Sequence, residues 1–363
     1  MKLELIDVLE PSRAESIWTA LEPRSFYLSW GWVENWLACL PSDRTPKLAV
    51  LRDRDRVVSA CFLGQRLVWR NRLVPSRTLH LNATGVTRID DLWIEYNGLV
   101  GDDQPIEALV GHLSGRLVPR GWDELFLPAL AERSFGGLVD AMHPRYRVQV
   151  VRRVPAYFVE LARVRETGYP KLLSGSTRSQ LKRAQRIAGP LEVTVAEDLH
   201  EAIAIYDELS ALHGAQWRAK QLPGAFADPW FDRFHRRLIT QRFAHGEIEL
   251  LRVRGKSQTI GCLYNHVFRG RVLQYQSGLA MFDDAHMKPG FLAHTAAIER
   301  AAALGRDVYD LLGGDMQYKK SLSTDLGWLV WGKVQRRRLR FALEDRALRM
   351  WRERRVASAA ARS

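Results

Sequence analysis

The chain has 363 residues, 46% hydrophobic and 26% charged, which excludes disordered, collagenous and low-complexity classes and is about twice the length of one domain. Its net charge of +13 points to an anionic partner; residues 335–363 hold ten Arg against three acids, which is +7, so over half of the excess is one tail. No apolar run approaches the roughly 20 residues that span a bilayer, and MKLELIDVLEPSRAES lacks a basic stretch followed by an apolar one, so a cytoplasmic location is expected. Cys39, Cys61 and Cys262 are odd in number and lack metal-like spacing, so buried reduced thiols are expected, with no disulfide and no metal.

In chain order, residues 29–40 read as a helix with Trp32, Val33, Trp36 and Leu37 on one face and Ser29 as its N-cap. Apolar runs at 47–51 and 57–63, joined by a polar turn, predict a hairpin. Trp93 to Asn97 alternates like a strand and sets Glu95 and Asn97 on one face, where Glu95 is a candidate base. A helix then ends at Gly121 and a short apolar strand follows. Past a joint near 152–164, Arg178, Lys182 and Arg186 recur at i, i+4 and i+8 on a helix, with Arg183 beside them. Helices are predicted over 197–217 and 229–244, the second capped by Asp228 with Pro229 at its first position. Strands at 247–253, 258–268 and 271–278 form a meander, Pro289 and Gly290 open a helix ending at Gly305, and a strand at 308–312 runs into Gly313 and Gly314. The tail 335–355 spaces Leu339, Leu343, Ala347 and Met350 as an amphipathic basic helix, with Asp345, Arg349 and Glu353 paired along it. It is expected to dock on its own protein first, with anionic lipid or nucleic acid as other partners.

Aligning Cys61 with Cys262 sets LAVLRDRDRVVSACFL against ELLRVRGKSQTIGCLY without a gap, and downstream Gly121 matches Gly305, each between a helix and a strand. Two collinear matches indicate a duplicated α/β domain, divided as 1–155, 156–334 and a tail from 335 to 363.

The order helix, helix, antiparallel meander, helix, strand resembles the GNAT acyltransferase fold. The resemblance is to the branch with two GNAT-like units in tandem, the CelD/BcsL-like acetyltransferases and the related Fem-type aminoacyltransferases. It is carried by Ser29 to Trp36, Thr177 to Ala184, Leu212 to Arg218, and above all Tyr309-Asp310-Leu311-Leu312-Gly313-Gly314-Asp315-Met316-Gln317-Tyr318-Lys319, with Gln276-Ser277-Gly278 and Pro289-Gly290 between. It implies two α/β (α+β) units, each a mixed, mainly antiparallel sheet flanked by helices, the first partly degenerate. It also implies acyl transfer from acetyl-CoA or another acyl-CoA to an amine or hydroxyl of a small polar or envelope-polysaccharide-precursor acceptor, where strands splay apart in the second unit. Aminoacyl-tRNA is the alternative donor, and a non-catalytic binding subunit in polysaccharide assembly is a third reading. Most GNATs cradle the donor pyrophosphate with Arg/Gln-x-x-Gly-x-Gly/Ala; here residues 283–290 are Asp-Asp-Ala-His-Met-Lys-Pro-Gly. Lys288 beside a helix N-terminus can still bind phosphate, although Pro289 lacks one N–H donor.

Acyl transfer needs donors aimed at a developing oxyanion, a base for the attacking group and an acid for the leaving group. Gly313 and Gly314 permit close backbone approach, Asp315 can take a proton, Tyr318 can give one and Lys319 can stabilise negative charge. In the Fem-type enzymes the equivalent lysine lies near the reacting carbonyl, which implies that place for Lys319. The plainer alternative is a turn with an Asp315–Lys319 ion pair at i,i+4. His213 and Trp217, four apart, can share one cleft as base and cover, or be a core histidine beside a core tryptophan. Arg178 and Arg183 can grip a phosphate, a nucleotide sugar or a tRNA stem, or form a solvated helix face.

Overall fold

The structure, a computed structural model, describes residues 1–7, 11–92, 94–101, 106–113, 121–142, 145–256 and 258–360. The chain runs β1 (Lys2–Asp7), α1 (Pro11–Thr19), α2 (Trp30–Cys39), β2 (Lys47–Asp53), β3 (Arg56–Arg70), β4 (Val74–Leu81), α3 (Thr87–Asp90), β5 (Val100–Gly101), α4 (Ile106–His112), β6 (Glu124–Ala131), α5 (Glu132–Met142) and β7 (Tyr146–Glu160). It continues through α6 (Leu161–Thr167), α7 (Tyr169–Leu172), α8 (Gly175–Ala188), β8 (Glu192–Val195), α9 (Leu199–Ala219), α10 (Pro229–Arg242), β9 (Ile248–Arg254), β10 (Thr259–Phe268), β11 (Arg271–Leu279), α11 (Pro289–Ala303), β12 (Val308–Gly313), α12 (Gln317–Leu322), β13 (Asp325–Arg336) and α13 (Leu339–Ala360).

Two compact units result, residues 1–22, 42–152 and 330–363 in the first and residues 23–41 and 153–329 in the second. They do not follow a linear division at 155 and 334. Residues 23–41 join the second unit because Phe26 stacks on His266, centroids 4.3 Å apart, and Trp32 meets Phe234 at 4.9 Å. The chain from Val330 returns to the first, where Val330 and Val334 enter the core.

In the first unit the strand order is β1-β2-β3-β4-β6, then the end of β13 and the start of β7. In the second it is the end of β7, then β12-β11-β10-β9-β8. Each unit is a mixed sheet, antiparallel through its meander. Each has one parallel pair at the same place, Thr78 opposite Glu124 in one and Arg271 opposite Val308 in the other. Gly121 and Gly305 both sit at φ +71, and each next strand opens with the same 2.8 Å bond, Asp123 N–H to the Arg77 carbonyl and Asp307 N–H to that of Gly270. The ungapped alignment needs one correction. Ala49 faces Cys61 but Arg252 faces Cys262, so the longer β9–β10 turn inserts two residues that the sequence pairing ignored.

Caps fix several helix starts. Ser29 accepts from Trp32 N–H, Ser174 from Thr177 N–H, Asp198 from Glu201 N–H and Asp228 from Trp230 N–H. In the second unit Leu181, Ala184 and Ala188 of α8 and Leu292, Ala293, Ala297 and Ile298 of α11 pack on Leu251, Val253, Ile260 and Leu263, each large apolar side chain contributing roughly 2 kcal/mol. Gly278 is a packing glycine, since a Cβ there would lie 2.2 Å from the Leu209 carbonyl of α9. The three cysteines are buried and free, and burial pushes the Cys262 thiol up to about 12.

Three local readings change. β3 runs on to Arg70 rather than ending at Leu63, because it keeps pairing with β4 down to Arg70 opposite Val74. Residues 94–98 are not a strand: Tyr96 at φ +51 breaks the alternation, leaving only an isolated bridge from Asn97 to Leu130, and Trp93 lies outside the described residues. The tail helix starts at Leu339, since Gln335 and Arg336 finish β13.

The tail docks on its own unit. Phe341 is buried, Glu344 accepts from Arg70 Nε at 2.7 Å and Asn71 Nδ2 at 2.5 Å, and Asp345 pairs with Arg147 rather than along the helix. Because Glu344 is nearly enclosed, Glu344→Ala should cost about 2 kcal/mol in a urea titration of the full chain. A midpoint within error of wild type would show that the helix is not anchored there.

Candidate active site

The second unit contains an opening built by its own strands. β11 and β12 pair only from Arg271–Leu273 to Val308–Asp310, and beyond Leu273, along the half-buried Gln276 and Ser277, β11 stays paired with β10 but its edge on the β12 side has no strand partner among the described residues. β12 meanwhile leaves regular register with β7 between Asp310 and Gly313. Leu312 there adopts φ +62, rare for a branched residue, with its N–H on Asp310 Oδ1 at 2.8 Å. Asp310 is itself buried and paired with Arg271 at 2.7 Å.

This bulge turns two carbonyls toward Lys319. The ammonium donates to the Gly313 carbonyl at 2.7 Å and the Leu312 carbonyl at 3.3 Å, and the residue is only 5% exposed. Gly314, at φ +139 with its N–H on the Pro155 carbonyl, leaves room for it: a Cβ would lie 3.3 Å from Lys319 Nζ. The i,i+4 ion pair does not arise, because α12 begins only at Gln317 and Asp315 lies before it, exposed. Gly313, Gly314, Tyr318 and Lys319 therefore form one cluster, with Asp315 at its exposed rim.

Sequence reasoning missed His294 of α11. It is 1% exposed, stacks on Tyr318 with centroids 5.6 Å apart and planes 14° apart, and its Nδ1 lies 3.4 Å from the Tyr309 hydroxyl. Burial, and then the nearby Lys319 charge, lower its pKa to about 3, so the imidazole stays neutral. Burial pushes the Tyr318 hydroxyl up to about 12, so it stays protonated. The one signal in the sequence was a lone histidine inside the apolar run Pro289–Ala303.

His213 and Trp217 share a face as expected, 5.5 Å apart, yet no hydrogen bond or ring contact among the described residues joins His213 to Lys319, Tyr318 or His294. His213 is enclosed by Phe226 at 4.9 Å and by Gly224, and burial, then Lys220, lower its pKa to about 4. Its Nδ1 is buried without a hydrogen-bond partner among the described residues, and Trp217 is only half-buried. Glu95 and Asn97 belong to the first unit and are buried there. Asn97 clamps that unit: its N–H donates to the Ala129 carbonyl, its Nδ2 to that of Leu81, and its Oδ1 accepts from Asn82 Nδ2 at 2.8 Å. The segment thus spans the ends of β4 and β6, where the second unit is open.

Lys288, half-buried, is the N-cap of α11 in the left-handed conformation, and Pro289 and Gly290 open that helix as expected. A cavity of about 170 Å³ lies beside the preceding loop, lined by Lys256 and Met287 among others but also by Asp283 and Asp284; none of the Lys319 cluster lines it. Arg178 is turned back on its own helix start, donating to the Leu173 carbonyl at 3.1 Å, whereas Lys182, Arg183 and Arg186 are exposed. Among the described residues no group of three or more metal-ligating side chains converges.

Residues 174–320 match the family model described as acetyltransferase (GNAT) domain. The match lies within the second unit and covers the Lys319 cluster. FemX is similar in structure, with TM-score 0.59 at 10% identity over 91% of this chain and 97% of that one. A conserved protein of unknown function from Bacteroides thetaiotaomicron gives 0.56 at 10% identity over 92% and 100%, and L-PGS from Bacillus licheniformis 0.51 at 9% over 92% and 94%. At such identities these likenesses establish the fold alone. No curated protein matches the chain.

Proposed function

We propose that the second unit moves an acyl group from acetyl-CoA or another acyl-CoA to an amine or hydroxyl of a small polar or envelope-polysaccharide-precursor acceptor. The observation that carries this reading is a buried ammonium, Lys319, held at the mouth where β11 and β12 part. Coenzyme A supplies the activated thioester. The donor set at α11 fits its phosphates: a helix of 15 residues opens with Lys288 at its cap. The unpaired edge of β11 at Gln276 and Ser277 offers backbone groups to an extended ligand arm. Lys319 stabilises negative charge gathering on the carbonyl oxygen, Tyr318, protonated and braced by His294, gives a proton to the departing sulfur, and Asp315 takes one from the acceptor.

Lys288→Glu tests the donor site, because it sets a carboxylate against phosphates at a helix start. Calorimetric titration should show acetyl-CoA bound at least about tenfold more weakly, as expected when a charge-assisted contact becomes repulsive, with unchanged acceptor affinity. Unchanged donor affinity sinks this placement.

The exposed Lys182, Arg183 and Arg186 favour a second reading, an aminoacyl-tRNA donor on the basic face of α8. Its signature is binding of charged tRNA that Lys288→Glu leaves intact and Arg183→Glu abolishes. No helix among the described residues is long and apolar enough to cross a membrane.

A further inference from the structure

The strands β3 and β4 run past the rest of their sheet as a two-stranded ribbon closed by Asn71 and Arg72, both left-handed, with Leu73 N–H on the Arg70 carbonyl at 2.9 Å. One ribbon face is occupied. Arg70 bonds Glu124 and Glu344, and Ser76 Oγ donates to Glu124 at 2.7 Å. Leu67 and Trp69 alternate onto the other face, opposite Arg77 and Pro75 in register, and they are 60% and 59% exposed; Leu73 at the turn is 77% exposed. Three large apolar side chains so exposed on one short ribbon form a patch of the kind that marks an interaction surface.

The charge around it selects the occupant. Residues 64–81 contain four Arg and no Asp or Glu, and of these Arg70 is already paired with Glu124 and Glu344. The helix bonded to the ribbon turn, α13, adds the exposed Arg346 and Arg349; Arg340 is spent on Asp123, and Glu344 and Asp345 on Arg70, Asn71 and Arg147. A second copy would bring like charge against like charge, and a cationic apolar protein surface would meet the same repulsion. A tryptophan and leucines flanked by arginines suit the boundary between anionic headgroups and acyl chains.

We infer that the β3–β4 ribbon tip, Leu67, Trp69 and Leu73 with Arg72 beside them, docks the protein on an anionic phospholipid surface. This goes beyond the acyl-transfer reading and needs no donor or acceptor, so its failure leaves that reading untouched. The test is co-sedimentation of the full chain with vesicles of phosphatidylcholine alone or mixed with phosphatidylglycerol, for wild type and Trp69→Ser/Leu73→Ser. Both replaced side chains are exposed, and circular dichroism and sedimentation velocity check that the fold and mass are kept. Wild type should bind the mixed vesicles, less as salt rises, and the double variant at least about tenfold more weakly, as expected on losing the inserted apolar area. Acyl-chain-brominated phosphatidylglycerol should quench wild-type fluorescence more than that of Trp69→Phe. Absence of vesicle binding, equal binding by both proteins, or a wild-type dimer that the double variant dissolves overturns the proposal, the last in favour of a second copy.

Discussion

Lys319→Ala should lower turnover at saturating donor by at least about tenfold, because one charge-assisted contact to a developing anion is worth roughly 1.5 to 3 kcal/mol. The same substitution strips a donor from the Gly313 and Leu312 carbonyls, so some loss of stability accompanies it. A structural role alone would show in the unfolding midpoint and leave turnover of the folded fraction intact. Lys319→Met separates the two: it keeps most of the buried chain, loses the charge, and should be as slow as the alanine variant while unfolding closer to wild type. Steady-state kinetics with the folded fraction measured in parallel check this, and wild-type turnover in either variant removes Lys319 from the chemistry.

Acid should destabilise the protein steeply well above the range of carboxylate titration. His80, His213, His235, His266 and His294 are all buried. Burial, the largest cause for every one of them, lowers His235 and His294 to about 3, His80 and His213 to about 4, and His266 well below its ordinary range. Each is a base whose folded pKa lies below the unfolded value of about 6.5, so below that pH the unfolded chain binds more protons. Their contribution is complete above pH 6.5 and is lost as pH falls toward the folded values. Each such group removes up to about 1.4 kcal/mol per pH unit below 6.5, so several acting together take a large part of a typical 5–15 kcal/mol as pH falls.

His266 makes the cleanest test. Neither of its ring nitrogens has a hydrogen-bond partner among the described residues, and its ring lies among Phe26, Trp32, Tyr264 and Tyr275, so His266→Phe forfeits no described bond and adds an apolar ring to an aromatic box. Urea unfolding should find the variant at least as stable as wild type at pH 7 and increasingly more stable toward pH 5. A parallel pH dependence for the two proteins would show that His266 is already protonated or solvated in the fold.

What could be read from the sequence was local. Ser29 and Asp228 announce their helices because a cap is one side chain bonding an amide two or three residues on. Gly305 marks a helix end because the position needs φ +71; the helix expected before Gly121 lies outside the described residues. The Gly313–Lys319 segment stood out by its own composition. The assignment of residues 23–41 to the second unit could not be read this way, since the same amphipathic helix would cover either sheet and only Phe234 and His266 decide. His294 carries no motif, and its place beside Lys319 follows from how α11 crosses the sheet. Glu95 and Asn97 misled because period-two alternation also occurs in irregular chain, and a left-handed Tyr96 is invisible to it.

Native mass spectrometry of the full chain, offered acetyl-CoA and charged tRNA in parallel, tests the central claim most directly. An acyl-CoA-dependent second unit should show one acetyl-CoA adduct on wild type that Lys288→Glu loses and Lys319→Ala keeps, with no tRNA complex at physiological salt. A stable complex with charged tRNA and no acetyl-CoA adduct would contradict it.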